Sequence, residues 1–199
     1  MDGAFYLTKS KIRGKLLGVL FSNSSRKYYL SELSRLIGTS AGNAQRELSR
    51  FVKDRLIVPE KRGNLVFYSL NRRHPFFKEL RSLVLKTWGV EGALRSLADE
   101  EKDIEFALLY GSFAQGTQHG DSDIDFLVVS SGGLKDFYPR LARLESLFGR
   151  EINPTVYSVP EFKRKISEGE GTFISRILKG PHRVLKGTLK EFTDDPQGI

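Results

Sequence analysis

Two aspartates one residue apart, Asp123 and Asp125, follow the pair Gly111-Ser112 after ten intervening residues, with an apolar run on either side. The run Phe106 to Tyr110 has the length of a buried strand, and Gly111 stops it. The segment Phe113 to Thr117 has room for a turn or two of helix, whose free backbone N–H groups would point back over the strand end and attract an anion. After the loop Gln118-His119-Gly120-Asp121-Ser122, Asp123-Ile124-Asp125 leads into Phe126-Leu127-Val128-Val129, a second strand. Residues two apart on a strand share a face, so the two carboxylates would project side by side. Adjacent carboxylates repel and are costly to bury unpaired, which calls for a cation, and their hard oxygen donors suit Mg²⁺ or Mn²⁺. A phosphate-binding turn on one strand end and metal-binding carboxylates on the next would together hold a nucleoside triphosphate. The chemistry implied is metal-assisted transfer of a nucleotidyl group. The plainer alternative is a solvated strand start at the aspartates and an ordinary left-handed turn with a helix cap at Gly111-Ser112.

Gly111-Ser112 followed at this spacing by Asp123-x-Asp125 resembles the motif of the DNA polymerase β-type nucleotidyltransferases, most closely their small minimal members. The resemblance extends over residues 100 to 187 and is sharpest at 111–125. It implies that Gly111 and Ser112 bind the nucleotide, that Asp123 and Asp125 are catalytic and bind metal, and that a third carboxylate stands on a later strand. The later strand is Glu151 to Ser158, with Pro154 pointing to an edge or a bulge. At the matching position the chain has Asn153, a neutral ligand and a poor base, while Glu151, two residues away on the same face, is the possible substitute. Such a replacement weakens proton removal from the acceptor more than it weakens nucleotide binding.

The 199 residues, 39% hydrophobic and 28% charged, suffice for one medium domain or two small ones. Absence of cysteine excludes disulfides and thiolate metal sites, and His74, His119 and His182 are too scattered for zinc. With neither a leader-like start nor a run of membrane-spanning length, the expectation is a cytoplasmic protein with no membrane partner. Charge divides unevenly. Residues 1–74 hold 15 Lys and Arg against 5 Asp and Glu, net +10, and residues 75–199 hold 17 against 19, net −2. This asymmetry predicts an N-terminal module that faces a polyanion and a C-terminal module with another task.

In the N-terminal module, Ile12, Leu16, Leu17, Val19 and Leu20 recur at helical spacing, and Ser22 to Ser25 break the helix. Ser31 is the expected cap of a short helix to Ile37, Gly38 stops it, and Thr39 or Ser40 caps a third helix running to about Arg55. On that helix Ala44, Leu48, Phe51 and Val52 should pack inward, leaving Asn43, Arg46, Arg50 and Lys53 outside. Asn43 and Arg46 suit base edges in a major groove, and Arg50 and Lys53 suit phosphates. Two apolar runs, Leu56-Ile57-Val58 and Leu65 to Leu70, joined through Gly63-Asn64, predict a β-hairpin with Lys61 and Arg62 at its tip. Short helix, glycine turn, longer helix and hairpin resemble a winged helix-turn-helix, which implies binding of double-stranded DNA. A solvated basic face is the alternative.

Asn71 to Pro75 marks a break, and Phe76 to about Leu97 reads as one connecting helix, bent at Gly89 or Gly92, that could serve as a homodimer seam. Beyond the second strand, Leu134 to Phe148 predicts a helix, Glu161 to Ser167 and Phe173 to Leu178 two short ones, and Arg183 to Gly187 a last strand. Lys163, Arg164, Lys165 and Arg176 could face the acceptor or the triphosphate.

The sequence thus predicts an α+β protein. A winged helix-turn-helix of three helices and a hairpin wing occupies 1–74, and a connecting helix 75–99. A small mixed-sheet nucleotidyltransferase-type domain occupies 100–190, and 191–199 is a loose tail. The expected function is a DNA-binding transcriptional regulator that transfers a nucleoside monophosphate from NTP to an acceptor hydroxyl. The rivals are a catalytically weak or inactive nucleotide sensor and an antitoxin-like autoregulator with a protein acceptor or toxin partner.

Overall fold

The computed structural model describes residues 10–115 and 123–193. The chain divides into two compact units, Met1–Ala93 with Ser146–Gly149, and Leu94–Glu145 with Arg150–Ile199. The expected helix end at Thr117, the loop Gln118 to Ser122 with His119, and the tail from Asp194 lie outside the described residues. No helix among the described residues is long and apolar enough to cross a membrane.

The first unit begins with α1, Lys11–Ser22, whose N-cap Ser10 accepts a hydrogen bond from the Arg13 N–H. A two-residue strand β1, Tyr28–Tyr29, leads into α2, Leu30–Ile37. The expected cap at Ser31 is displaced. The helix starts two residues earlier, at Leu30 behind Tyr29 with no side-chain cap, because pairing holds Tyr28–Tyr29 extended and the helix begins where that strand stops. Gly38 ends α2 at φ 67°, a left-handed conformation that suits glycine, and the Thr39 N–H closes the turn on the Ser34 carbonyl. Ser40 then caps α3, Ala41–Lys53, by accepting from the Asn43 N–H. Strands β2, Ile57–Arg62, and β3, Leu65–Leu70, form a hairpin through Gly63-Asn64, with Gly63 at φ 58° as a two-residue hairpin turn requires. β1 pairs with the far side of β3, giving the antiparallel order β1-β3-β2.

The core of this unit joins Leu16 and Leu20 of α1, Leu33 and Ile37 of α2, and Leu48 and Phe51 of α3 to Val84 and Leu85. The last two lie on α4, Phe77–Thr87, so residues 75–93 group with the first unit and the boundary falls after Ala93, where the sequence suggested a break at His74. α1 and α4 meet closely. A Cβ on Gly14 would lie 2.2 Å from the Trp88 ring, and one on Gly18 2.0 Å from the Trp88 carbonyl oxygen.

The single connecting helix expected over 76–97 is two helices, α4 and α5, Val90–Glu100. Trp88 and Gly89 both donate to the Val84 carbonyl, ending α4, and a Cβ on Gly92 would come within 2.1 Å of the Thr87 carbonyl oxygen. Glycine permits the sharp bend that the apolar periodicity conceals.

The second unit runs β4 (Ile104–Tyr110), α6 (Gly111–Gln115), β5 (Ile124–Ser130), α7 (Phe137–Phe148), β6 (Ile152–Ser158), α8 (Val159–Ser167), α9 (Phe173–Lys179) and β7 (Arg183–Lys186). Its sheet has the order β6-β5-β4-β7, with β4 antiparallel to both neighbours and β5 parallel to β6. A parallel pair needs a crossover, and α7 supplies it, stacking Phe137 on Phe126. The opposite sheet face, Phe106, Leu108, Leu127 and Val129, packs on Phe162 of α8 and on Ile174 and Ile177 of α9. Pro154 lies on β6, an edge strand, where a missing N–H is tolerated. Ser158 and Glu161 form a capping box that starts α8. At the other edge, Lys186 Nζ donates to the carbonyls of Ala98 and Glu101 at the end of α5, and Arg95 donates to Leu185 O, which together hold β7. Both units mix helix and sheet, giving an α+β chain.

Candidate functional site

Three strands of the second sheet bring three side chains to one level. Tyr110 at the end of β4 is in register with Asp125 of β5, and Asp125 with Asn153 of β6. These positions share the sheet face of Leu108 and Leu127, so Asp125 stands at the margin of the apolar layer covered by α8 and α9. Asp123 lies just before β5 and is exposed. Asn153 Nδ2 is 3.5 Å from Asp123 Oδ2, a long hydrogen bond. Glu151 precedes β6, is exposed, and accepts the Ile124 N–H on its backbone carbonyl. It is therefore level with Asp123, while Asn153 is level with Asp125.

Burial pushes the Asp125 carboxyl above the usual carboxylate range, and the neighbouring charge of Asp123 pushes it further. A cation placed between them would relieve both effects. Gly111 forms the adjoining wall at φ 70°, and a Cβ there would fall 2.2 Å from Asp125 Oδ2. Only glycine brings the backbone of Gly111-Ser112 this close to the carboxylate. Among the described residues no group of three or more His, Cys, Asp or Glu could hold a metal ion. The available donors are the Asp123 and Asp125 carboxylates with the amide oxygen of Asn153, an all-oxygen set that fits Mg²⁺ or Mn²⁺ with remaining positions left to water or phosphate.

By sequence alone Tyr110 is only the end of a strand. Burial raises its phenol, the Thr155 hydroxyl 3.1 Å from its oxygen opposes that, and Asp125 and Tyr157 reinforce it. The same residue lines a cavity of about 470 Å³ with Gly111, Gln115, Phe173, Arg176 and Pro181. Of the four cations noted on the late helices, Arg164 and Lys165 pair with Glu168 on α8, and Arg176 lines the cavity. Phe173 had no signal beyond helical apolar spacing.

In the first unit, Ala44, Glu47, Leu48 and Phe51 of α3 are buried, Val52 and Asn43 are half-buried, and Arg46, Arg50 and Lys53 are exposed. The inner side of α3 also carries a charged residue, Glu47, which apolar spacing does not predict. It accepts from Arg13 Nε at 2.9 Å, from Arg50 Nη1 at 3.1 Å and from the Ser10 hydroxyl. Burial would raise its carboxyl, but Arg13, Arg50 and Ser10 outweigh that and hold it below the ordinary value. Arg50 is thus partly neutralised. Arg46 donates to the Asn43 side-chain oxygen, so the two form a unit. On the hairpin Lys61 is exposed, while Arg62 donates to Glu60 at 2.6 Å and lies over the Phe67 ring. Gln45 accepts from the Tyr68 hydroxyl at 3.2 Å and donates to Ser49, which fixes an amide on the flank of α3.

Residues 93–169 match the family described as Polymerase beta, Nucleotidyltransferase. The matched stretch spans β4, Gly111-Ser112, both aspartates and Asn153. A crystal structure of a toxin–antitoxin with AMP-PNP is similar to the chain at 21% identity, covering 52% of this chain and 77% of that one with a TM-score of 0.36. A variant of the toxin–antitoxin MntA-HpeT is similar at 19% identity over 51% of this chain and 76% of that one, TM-score 0.37. Reduced HlyU from Vibrio cholerae is similar at 22% identity over 36% and 73%, TM-score 0.30. No curated protein matches the chain.

Proposed function

We propose that the nucleotidyltransferase domain binds a nucleoside triphosphate with Mg²⁺ or Mn²⁺ and transfers its nucleoside monophosphate to an acceptor hydroxyl, releasing pyrophosphate. The observation that carries this reading is the contact of the Gly111 backbone with the Asp125 carboxylate, where a Cβ would be only 2.2 Å away. A fold that needs only a turn there does not need one this tight, whereas a site that must present backbone amides and two carboxylates to one triphosphate does. Asp123 and Asp125 would hold the cation, which when bound neutralises phosphate charge. Gly111 and Ser112 orient the triphosphate beside them. Asn153, in register with Asp125, occupies the place of a base but accepts no proton, so the acceptor proton leaves to solvent and turnover is slow.

That same register supports a second reading, a nucleotide sensor that binds without transfer. Incubation with α-labelled nucleoside triphosphates and Mg²⁺ or Mn²⁺ separates the two. Label on protein, nucleic acid or a small acceptor with the wild type and none with Asp123→Ala/Asp125→Ala supports transfer, and metal-dependent binding without label in the presence of candidate acceptors supports the sensor. A partner protein is one acceptor class to supply, as an antitoxin-like role would require.

For the first unit we infer a winged helix-turn-helix that binds double-stranded DNA as a transcriptional regulator. Helix α2, the Gly38 turn, α3 and the β2–β3 hairpin support it. Arg46 with Asn43 would face base edges, and Arg50, Lys53, Lys61 and Arg62 phosphates. Phe76 and Leu83, large, apolar and 64% and 49% exposed, favour a homodimer. Retardation of duplex DNA that survives Arg46→Ala/Arg50→Ala would sink the groove assignment.

A further inference from the structure

The cavity beside Gly111 has walls that phosphate binding alone does not explain. Tyr110 and Gly111 line it from the end of β4, Phe173, Arg176 and Ile177 from α9, and Pro181 from the turn before β7. At about 470 Å³ it falls within the range of small-molecule sites. Within the sheet order β6-β5-β4-β7, Asn153 flanks Asp125 on one side and β4 with this cavity flanks it on the other. The carboxylate pair therefore has two distinct sides.

Two side chains on the cavity side lack a structural use that accounts for them. Phe173 is 42% exposed, and its ring meets Tyr110 edge-on with centroids 5.8 Å apart and planes at 85°. A T-shaped contact leaves broad ring area open. Tyr110 is fixed in turn through its hydroxyl and Thr155, so the aromatic pair is held in place before anything binds. Arg176, three residues along α9 and therefore on the same side, is exposed and has no ion pair or hydrogen bond for its guanidinium among the described residues. An aromatic face and a permanent cation thus converge beside the glycine that abuts Asp125.

We propose that this cavity seats the donor nucleotide, with the base stacked on Phe173 and Arg176 paired with the phosphates that reach Gly111. The assignment rests on the nucleotide-binding reading above and deepens it, because it names what distinguishes a nucleotide from bare polyphosphate at this site. Stacking accepts any base, since each has a π-face, so purines bind ahead of pyrimidines through greater overlap and no base is excluded. The acceptor is left to the Asn153 side.

Calorimetric titration of the full chain with the magnesium complexes of ATP, GTP, CTP, UTP and inorganic tripolyphosphate tests the assignment. Phe173→Ala is expected to weaken all four nucleotides about tenfold while leaving tripolyphosphate unchanged, and Phe173→Trp to keep nucleotide affinity. Arg176→Gln is expected to weaken nucleotides and tripolyphosphate alike, by about tenfold. If Phe173→Ala binds nucleotides as well as wild type does, while Asp123→Asn/Asp125→Asn abolishes that binding, the base lies elsewhere: this assignment falls and the proposed function stands. If Phe173→Ala weakens tripolyphosphate as much as nucleotides, Phe173 only supports the wall, and the assignment also falls. Failure of the wild type to bind any nucleotide removes the proposed function and this assignment together.

Discussion

A Cβ on Gly111 would stand 2.2 Å from Oδ2 of Asp125, so the backbone of one residue fills the space next to the carboxylate of the other. Gly111→Ala is accordingly expected to act twice. Its φ of 70° would cost about 1 to 2 kcal/mol with a side chain, seen as a lower melting temperature. Displacement of Asp125 would lower nucleotidyl transfer about 100-fold, well beyond the stability loss.

Ionisation of Asp125 opposes folding. Burial and then Asp123 hold its carboxyl above the ordinary value, so its contribution favours the fold below about pH 4, the unfolded value, and is lost as the pH rises through the folded one. Asp125→Asn should therefore melt higher than wild type at pH 7 in chelator, with the difference gone below about pH 4. Mg²⁺ at a hundredfold excess over its Kd should stabilise the wild type by about 2.7 kcal/mol and the variant far less, as thermal unfolding with and without metal would show.

Asn153→Asp restores an acid in register with Asp125 without changing side-chain size. Transfer to an acceptor hydroxyl should rise by about 100-fold with labelled nucleotide, while nucleotide affinity changes little. Wild type and variant equally silent with every acceptor class would leave only the sensor reading.

Glu47 supplies the opposite pH dependence. Burial alone would raise its carboxyl, but Arg13, Arg50 and Ser10 hold it low, so its stabilisation is present above the unfolded value of about 4.3 and is lost as the pH falls through the folded one. Glu47→Gln should cost about 2 kcal/mol in urea unfolding at pH 7 and much less at pH 3.

Charge sharing by Glu47 also separates the helix cations. Lys53→Ala should reduce the slope of log affinity for DNA against log salt by about 1, and Arg50→Ala by less, because Glu47 already offsets Arg50. Filter binding across a salt series reads both.

What the sequence shows of this molecule is mostly what neighbouring residues decide. Gly38, Ser40 and Gly63-Asn64 act through their own backbones, and each does what its residue type predicts. The Gly-Ser and Asp-x-Asp signatures are likewise short, and the register of β4 with β5 follows from alternation. Less visible are features made by partners distant in the chain. Tyr28–Tyr29 is a strand only because Tyr68 and Phe67 pair with it, which moves the start of α2. Glu47 looks like a surface residue of α3 until Arg13 arrives from another helix. Phe173 joins the site only through Tyr110, and apolar spacing runs smoothly across the Trp88-Gly89 break because both resulting helices bury residues at similar intervals.

Gly14 and Gly18 make α1 a poor helix on its own, at about 1 kcal/mol each relative to alanine. Trp88 fills the space they leave, so the helix that opens the first unit is completed by a residue from its far end. A fragment cut at His74 would look whole by its motifs yet expose Phe21, whose ring packs on Phe77, and two bare stretches of helix backbone, and it would be expected to misfold or aggregate. One ending after Ala93 keeps the wedge. The stretch that apolar spacing casts as a tether between modules is the closing piece of one of them, and the smallest autonomous folding fragment at this end of the chain has to include it.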